Sequence, residues 1–252
     1  MQTTDNSYLR AKMLIRILLC LLLIAVNFQI NAADKNSSGG FIDVNVYPYL
    51  SDVDNDNTIT INIGAKLKNR FSYFSLTNFG NEKGEAALAD INTFYTEQNV
   101  RWKISEKSPI DLTLQMNFRS GDDNDRHRLG FRWRINDTQI FNSAFKAINL
   151  SWSINFHLKQ FDNVPENVWQ MEHVFRMTFP IFDNRLYLAG FIDHTFNENL
   201  SDNIPKNPIV GEVQLGYRII ENLFFITEYR VNEYRRSDVN NMAVGLEYLI
   251  KW

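Results

Sequence analysis

Apolar and polar residues alternate with a period of two along most of the chain beyond residue 40. The run AINLSWSINFHLKQ, residues 147–160, carries large apolar side chains on one face and Asn, Ser, His and Lys on the other. The final run, AVGLEYLIKW at 243–252, repeats the pattern and ends on Trp252. Period-two alternation indicates β-strands, and both runs exceed the roughly five to six residues typical of soluble strands.

The same alternation predicts an all-β chain of about twelve strands. Most predicted strands reach the roughly 9–11 residues that a tilted strand needs to cross a bilayer. Their ranges are 40–48, 57–67, 70–78, 93–105, 109–119, 125–135, 147–160, 167–180, 185–197, 207–219, 223–235 and 239–252.

The connections between these strands differ in length on the two sides. Short turns such as KN at 68–69 and DN at 183–184 alternate with longer polar loops such as LSDVDNDN and NENLSDNIPKN. This asymmetry is typical of outer-membrane barrels, with both termini on the short-turn, periplasmic side. In lipid, strands satisfy their backbone polar groups only by closing, so we predict an antiparallel transmembrane β-barrel. Segment 136–146 is long for a short turn.

The alternative to a membrane barrel is a secreted lipocalin-like barrel or a β-sandwich.

The N-terminus has the features of a secretory signal peptide. Basic residues precede the apolar stretch ILLCLLLIAV at 17–26, and small residues follow it. We therefore predict a cleaved leader at 1–33 and a barrel at 34–252. Leu19 before Cys20 argues against lipidation, and the chain has no other cysteine, so disulfides and cysteine-ligated metals are excluded after cleavage. The net charge of −3 gives no support for nucleic-acid binding.

The ending GLEYLIKW resembles the C-terminal recognition signal of Gram-negative outer-membrane proteins. Gly245, Tyr248, Ile250 and Trp252 match that pattern, whereas Ala243 stands where a polar residue is usual. The resemblance implies location in the cell outer membrane and recognition by the barrel-assembly machinery. Outer-membrane lipid and lipopolysaccharide are then expected partners.

If apolar faces meet lipid, many charged side chains face the lumen. Strands four to seven present a basic wall, and the other strands present charges of both signs. The predicted pore-lining residues are Arg101, Lys103, Arg119, Arg126, Arg128, Arg132, Arg134, Lys159, Glu172, Arg176, Glu212, Arg218, Glu228, Arg230 and Glu247.

Such charges either line water or pair into a network that fills the lumen, because a dry unpaired ion costs several kcal/mol. The first case predicts passive diffusion of small polar solutes, with anionic ones favoured. The second predicts a closed structural or surface-interaction barrel. An arginine-lined interior is similar to oligogalacturonate-specific and sialic-acid porins, and the size and loop pattern resemble nucleoside-specific channels. Neither resemblance transfers a binding residue. Replacing Arg128, Arg132 and Arg134 with serine should lower anion preference.

Catalysis and cofactors are not expected. A lipid-active outer-membrane enzyme is the remaining alternative, because the chain resembles outer-membrane phospholipase A in its twelve predicted strands. That family's His-x-Ser pattern is matched by none of the four histidines here. DVDNDN at 52–57 has the spacing of a calcium loop but lacks its glycine and its final glutamate.

GEAALAD at 84–90 is a candidate loop helix. A monomer is expected, because no strand shows an obvious polar interruption on its lipid face.

Overall fold

The computed structural model describes residues 39–50, 57–80, 91–121, 125–161, 167–235 and 238–252. The predicted leader, the DVDNDN segment and the candidate helix at 84–90 lie outside these ranges. The described part contains twelve strands and one α-helix, with short 3₁₀ turns at Ile135–Asp137 and Pro180–Phe182. Among the described residues, no helix is long and apolar enough to cross a membrane.

The strand positions agree with the alternation to within a few residues at most ends. They are β1 (Gly40–Val46), β2 (Asn57–Lys66), β3 (Phe71–Gly80), β4 (Thr93–Lys103), β5 (Ile110–Arg119), β6 (Arg126–Arg134), β7 (Leu150–Phe161), β8 (Trp169–Thr178), β9 (Leu186–Phe196), β10 (Ile209–Ile220), β11 (Leu223–Asn232) and β12 (Asn240–Lys251).

The twelve strands form one closed antiparallel barrel in which sequence neighbours are also spatial neighbours. The first and last strands complete the ring, with Phe41 opposite Lys251 and Val46 opposite Leu246. Closure leaves no strand edge unpaired, which is the condition for strands to lie in hydrocarbon. The prediction of an antiparallel transmembrane barrel is confirmed.

The barrel has two ends with different connections, here named the turn end and the loop end. The turn end holds Gly40, Trp252 and the β2–β3, β4–β5, β6–β7, β8–β9 and β10–β11 connections. At this end, Asn69 and Arg70 both have positive φ, at 58° and 67°, as do Asp183 and Asn184, at 52° and 54°. In the β2–β3 connection such a pair marks a tight hairpin turn that matches strand twist, whereas in the β8–β9 connection the pair follows the 3₁₀ turn Pro180–Phe182.

One connection at the turn end is a helix instead of a tight turn. Residues 135–137 form a 3₁₀ turn and Gln139–Ala147 form helix α1, so β7 begins at Leu150, three residues later than the alternation predicts. The segment that is long for a turn therefore carries its own secondary structure.

Inward aromatic rings lie over glycines on neighbouring strands and thicken the wall. A Cβ on Gly216 would lie 2.1 Å from the Tyr187 ring, and one on Gly64 would lie 2.2 Å from the Phe41 ring. Tyr47, Tyr187, Phe224, Ile226, Ala243 and Leu249 form the buried apolar core, which occupies one side of the lumen. Any side chain at these glycines would displace the ring that fills the space.

A bulge in β7 changes the side of the barrel wall on which Lys159 lies. Leu129 of β6 pairs with Lys159, whereas the next residue, Gly130, pairs with His157. The extra residue reverses the alternation beyond it, so Lys159 shares the outer face with Leu129 and Gln160 turns inward. The prediction that Lys159 lines the lumen is therefore wrong.

The outer face of β3 and β4 also differs from expectation. Tyr73 donates to Gln98, the Gln98 amide donates to Thr96 at 2.6 Å, and Thr77 and Thr96 lie 2.8 Å apart. These residues pair across the β3–β4 seam on the side opposite the luminal residues. The expectation of a lipid face without polar interruption is therefore wrong, although the cluster satisfies many of its own hydrogen bonds.

Candidate permeation pathway

A cavity of about 870 Å³ lies inside the barrel. Its lining includes Phe41 and Lys251 at the turn end, and Asn232 and Tyr234 at the loop end. Between them the lining side chains come from alternate positions of most strands, because inward residues recur every second position. The cavity therefore extends along the length of the barrel.

The cavity wall carries charges of both signs. Its carboxylates outnumber its cations by eight to six. The carboxylates are Asp43, Glu97, Glu172, Asp193, Glu198, Glu212, Glu228 and Glu247. The cations are Arg119, Arg126, Arg128, Arg176, Arg230 and Lys251.

Three arginines form the basic side of the cavity near the loop end. Arg128 is held by Gln160 Oε1 at 2.8 Å and Gln115 Oε1 at 2.9 Å, so its charge has amide partners instead of a carboxylate. Arg126 pairs with Glu198 at 2.8 Å. The Arg119 guanidinium lies 5.2 Å from the centre of the Tyr95 ring. This side keeps positive charge directed at the cavity.

Glu198 also accepts a hydrogen bond from a second residue at the loop end. Tyr234, just beyond β11, donates its hydroxyl to Glu198 Oε2 at 2.5 Å. Burial and the neighbouring Glu198 carboxylate raise the pKa of Tyr234 above its ordinary value, so the phenol remains a donor at neutral pH. Because Arg126 and Tyr234 share one carboxylate, loop-end residues from β6 and β11 are joined across the mouth.

At the turn end, two arginines of the predicted basic wall share one carboxylate. Asp111 on β5 accepts from Arg132 on β6 and lies 3.2 Å from Arg134, and its side chain is 2% exposed. Arg134 also pairs with Asp137 and donates to Ser108 O at 2.6 Å. Arg132 and Arg134 are absent from the cavity lining. They form a packed network between strands at the turn end.

A second packed network fills the middle of the β4–β8 side. His157 is fully buried, 3.3 Å from Gln115 Nε2 and 3.4 Å from Glu172 Oε2, and Asn155 donates to the same carboxylate at 2.7 Å. Glu97 accepts from Asn99 at 2.7 Å. Glu97 and Glu172 also line the cavity, so this packed network forms part of its wall on the β4–β8 side.

Tyr187 lies beside the cavity on the other side of the barrel, toward the turn end, and its partners Arg176, Gln214 and Glu247 line that cavity. Its hydroxyl donates to Gln214 Oε1 at 2.9 Å and to Glu247, and the Arg176 guanidinium lies 3.9 Å from its ring centre. Gln214 in turn donates to Asn45 Oδ1 at 3.1 Å. Side chains of β8, β9, β10, β12 and β1 are thus tied together around one aromatic ring.

The structure divides the predicted luminal residues into two groups. Lining the cavity are Arg119, Arg126, Arg128, Glu172, Arg176, Glu212, Glu228, Arg230 and Glu247. Away from it are Arg101, Lys103, Arg132, Arg134, Lys159 and Arg218. Arg101 is buried, and Arg218 donates to Asp183 O at 3.3 Å at the turn end. For every residue of both groups, a role in conduction stays a prediction.

Several important luminal residues were missed by sequence reasoning. Asp43, Glu97 and Asp193 line the cavity, and so do the rings of Tyr47 and Tyr95. Glu97 stands four residues before Arg101 and so shares its inward phase, which was a usable signal. Tyr95, six residues before Arg101, shares the same phase, but its inward position conflicts with the expectation that large aromatic residues face lipid.

The four residues of the C-terminal signal have distinct places. Gly245 lies against the backbone of Val46 and Tyr47, and Tyr248 and Ile250 lie on the outer face opposite Val44 and Ile42. Trp252 exchanges backbone hydrogen bonds with Gly40 at 3.1 and 3.2 Å. Recognition by the assembly machinery stays a prediction. Within the described ranges, no group of three or more His, Cys, Asp or Glu side chains is placed to hold a metal.

Comparison with known proteins shows the fold. The sequence matches no protein-family model, and no curated protein is significantly similar to it. The solved structure of the NanC porin is 11% identical, with a TM-score of 0.50 over 83% of this chain and 98% of that one. The KdgM porin is 16% identical over 84% and 98% of the two chains, with a TM-score of 0.45. The chain has the architecture of a porin-like outer-membrane barrel.

Proposed function

We propose that the protein is an outer-membrane channel for passive diffusion of small polar solutes. The observation that carries this proposal is the cavity whose polar lining reaches both ends of a closed barrel. A barrel that served only as a scaffold would gain by filling this space with apolar side chains, because buried ions pay a desolvation cost. The NanC structure, which is named a porin, supplies a precedent for the architecture.

The charge distribution favours an anionic group on one side of the solute. Arg119, Arg126 and Arg128 project from the adjacent strands β5 and β6. Opposite them, β10, β11, β12 and β1 contribute Glu212, Glu228, Glu247 and Asp43. Opposed charges create a field across the lumen, which orients dipolar solutes. We propose a modest preference for anions, limited by the facing carboxylates.

Single-channel recording of residues 34–252 in planar bilayers tests the proposal. We expect steady conductance steps and, in a salt gradient, a reversal potential whose sign indicates modest anion preference. Gel mobility before and after heating confirms that the recorded protein is a folded barrel. A folded barrel without conductance would contradict the proposal and favour a closed structural role. Conductance with cation preference would contradict only its anion component.

A further inference from the structure

Helix α1 has an apolar face that the barrel leaves largely uncovered. At 100° per residue, Ile140, Phe141, Ala144, Phe145 and Ile148 fall on one side of the helix, and Asn142, Ser143 and Lys146 fall on the other. None of the helix residues is buried, and Ile140 is 77% exposed. A soluble helix would turn this face toward a core, so its exposure needs a partner.

Two contacts place the helix against the outer side of the barrel rim. The Phe145 ring stacks on Trp152 with centroids 6.3 Å apart, and Trp133 Nε1 donates to Thr138 Oγ1 at 2.9 Å. Both tryptophans lie on the outer face, because their neighbours two residues along the strands, Phe131 and Ile154, share it. Interfacial tryptophans mark the level of lipid headgroups.

The neighbouring turns continue the exposed apolar surface at the same end. Ile181 is 84% exposed and Phe182 is 48% exposed in the β8–β9 turn, and Asn149 after α1 donates to Asn184 of that turn at 3.4 Å. Ile220 before the β10–β11 turn is 63% exposed. We name this surface the apolar collar; its members are Ile140, Phe141, Ile148, Ile181, Phe182 and Ile220.

Positive charge predominates at the turn end. The basic residues in or beside its turns are Lys66, Lys68, Arg70, Lys103, Lys107, Arg134, Lys146, Arg185, Arg218 and Lys251. The acidic ones are Glu106, Asp137, Asp183 and Glu221, and the Asp111–Arg132 pair adds one charge of each sign. Close to the collar, Lys146 forms no ion pair with any described residue, and Arg185 lies over the outward Tyr217 ring at 4.9 Å.

We propose that the apolar collar inserts into the headgroup boundary of the turn-side leaflet and that Lys146 binds anionic phospholipid headgroups there. An amphipathic helix lying in an interface buries its apolar face at the acyl boundary while its basic side chains extend to the headgroups. The collar follows the outer rim over three successive connections, continuous with the lipid-facing strands. Lipid therefore covers it more completely than a second protein could.

Site-directed fluorescence tests the insertion. The chain beyond residue 33 contains no cysteine, so Ile140→Cys carries a single environment-sensitive label, and Ser143→Cys labels the opposite face of the same helix. In phosphatidylcholine vesicles containing phosphatidylglycerol, we expect the label at 140 to be quenched by nitroxides near the lipid headgroup and protected from aqueous iodide. The label at 143 should remain accessible to iodide. Equal iodide quenching at both positions would overturn the proposal.

A charge variant tests the headgroup chemistry separately. We compare wild type, Lys146→Gln and Lys206→Gln, which removes the same charge from an exposed loop-end residue, by measuring how strongly spin-labelled phosphatidylglycerol associates relative to phosphatidylcholine. Lys146→Gln should lower that ratio by up to about fivefold at low salt, because one lysine near an anionic surface contributes that factor. Lys206→Gln should leave it unchanged. Equal ratios for Lys146→Gln and wild type, with the folded band retained, would overturn the role of Lys146.

Discussion

At the scale of single residues, burial decides which ion pairs at the turn end stabilise the barrel. Asp111 and Asp137 both contact Arg134, but the side chain of Asp111 is 2% exposed and that of Asp137 is 38% exposed. A buried carboxylate that serves two arginines cannot be replaced by water, whereas an exposed one can. The two aspartates therefore form a matched pair for testing the packed network.

Asp111→Asn should destabilise the barrel by about 3 kcal/mol, because Arg132 and Arg134 would lose a buried counter-charge. Asp137→Asn should cost less than about 1 kcal/mol, since its pair is exposed. Urea unfolding from phospholipid vesicles measures both values. Equal, small effects would mean that the turn-end arginines are hydrated in the folded protein.

Tyr187 combines a stability role with a position beside the cavity, because its partners Arg176, Gln214 and Glu247 line it. Tyr187→Phe removes only the hydroxyl bonds to Gln214 and Glu247, so we expect a loss of about 1–2 kcal/mol and nearly unchanged conductance. Tyr187→Ala also removes the ring from above Gly216, so it should cost about 3–5 kcal/mol and raise conductance. Single-channel recording with vesicle unfolding measures both. Unchanged conductance in Tyr187→Ala would show that solutes pass elsewhere.

At the scale of strands and turns, the sequence predicted periodicity well and register poorly. Alternation placed twelve strands because lipid-facing apolar residues recur with period two. The β7 bulge was missed, although Lys159 and Gln160 stand together between Leu158 and Phe161, which is a break in phase. The Asp111–Arg132 pair requires the register of β5 on β6, and that register depends on a turn geometry that residue periodicity does not encode.

The β8–β9 turn offers a test of local backbone control. Asn184 has φ 54°, a conformation that glycine adopts freely and β-branched residues adopt rarely. Asn184→Val should destabilise the barrel by about 1–2 kcal/mol, whereas Asn184→Gly should be neutral or stabilising. Both variants lose the contact with Asn149, so the difference between their unfolding free energies isolates the backbone effect. Equal stability would mean that the turn relaxes to another conformation.

At the scale of the whole molecule, the position of a cation along its strand decides whether it lines the cavity or packs into the barrel wall. The inward arginines predicted for the sixth strand divide into two groups in the folded barrel, because Arg126 and Arg128 reach the cavity whereas Arg132 and Arg134 pack on Asp111. All four lie on β6 with the same inward phase, so only their height and partners differ. The effect of removing an arginine on ion selectivity should therefore depend on the position of that arginine along β6.

Paired double variants test this division directly. Arg126→Gln with Arg128→Gln should lower the ratio of anion to cation permeability by as much as about tenfold at low salt, since it removes the charges that steer anions into the loop-end mouth. Salt should weaken the effect, because screening shortens the reach of those charges. Arg132→Gln with Arg134→Gln removes the same charge from the same strand and should leave permeability unchanged while lowering stability. Reversal potentials over a range of salt concentrations measure both. Equal shifts from the two variants would mean that the turn-end arginines also border the conducting path, and that the network around Asp111 opens in the working channel.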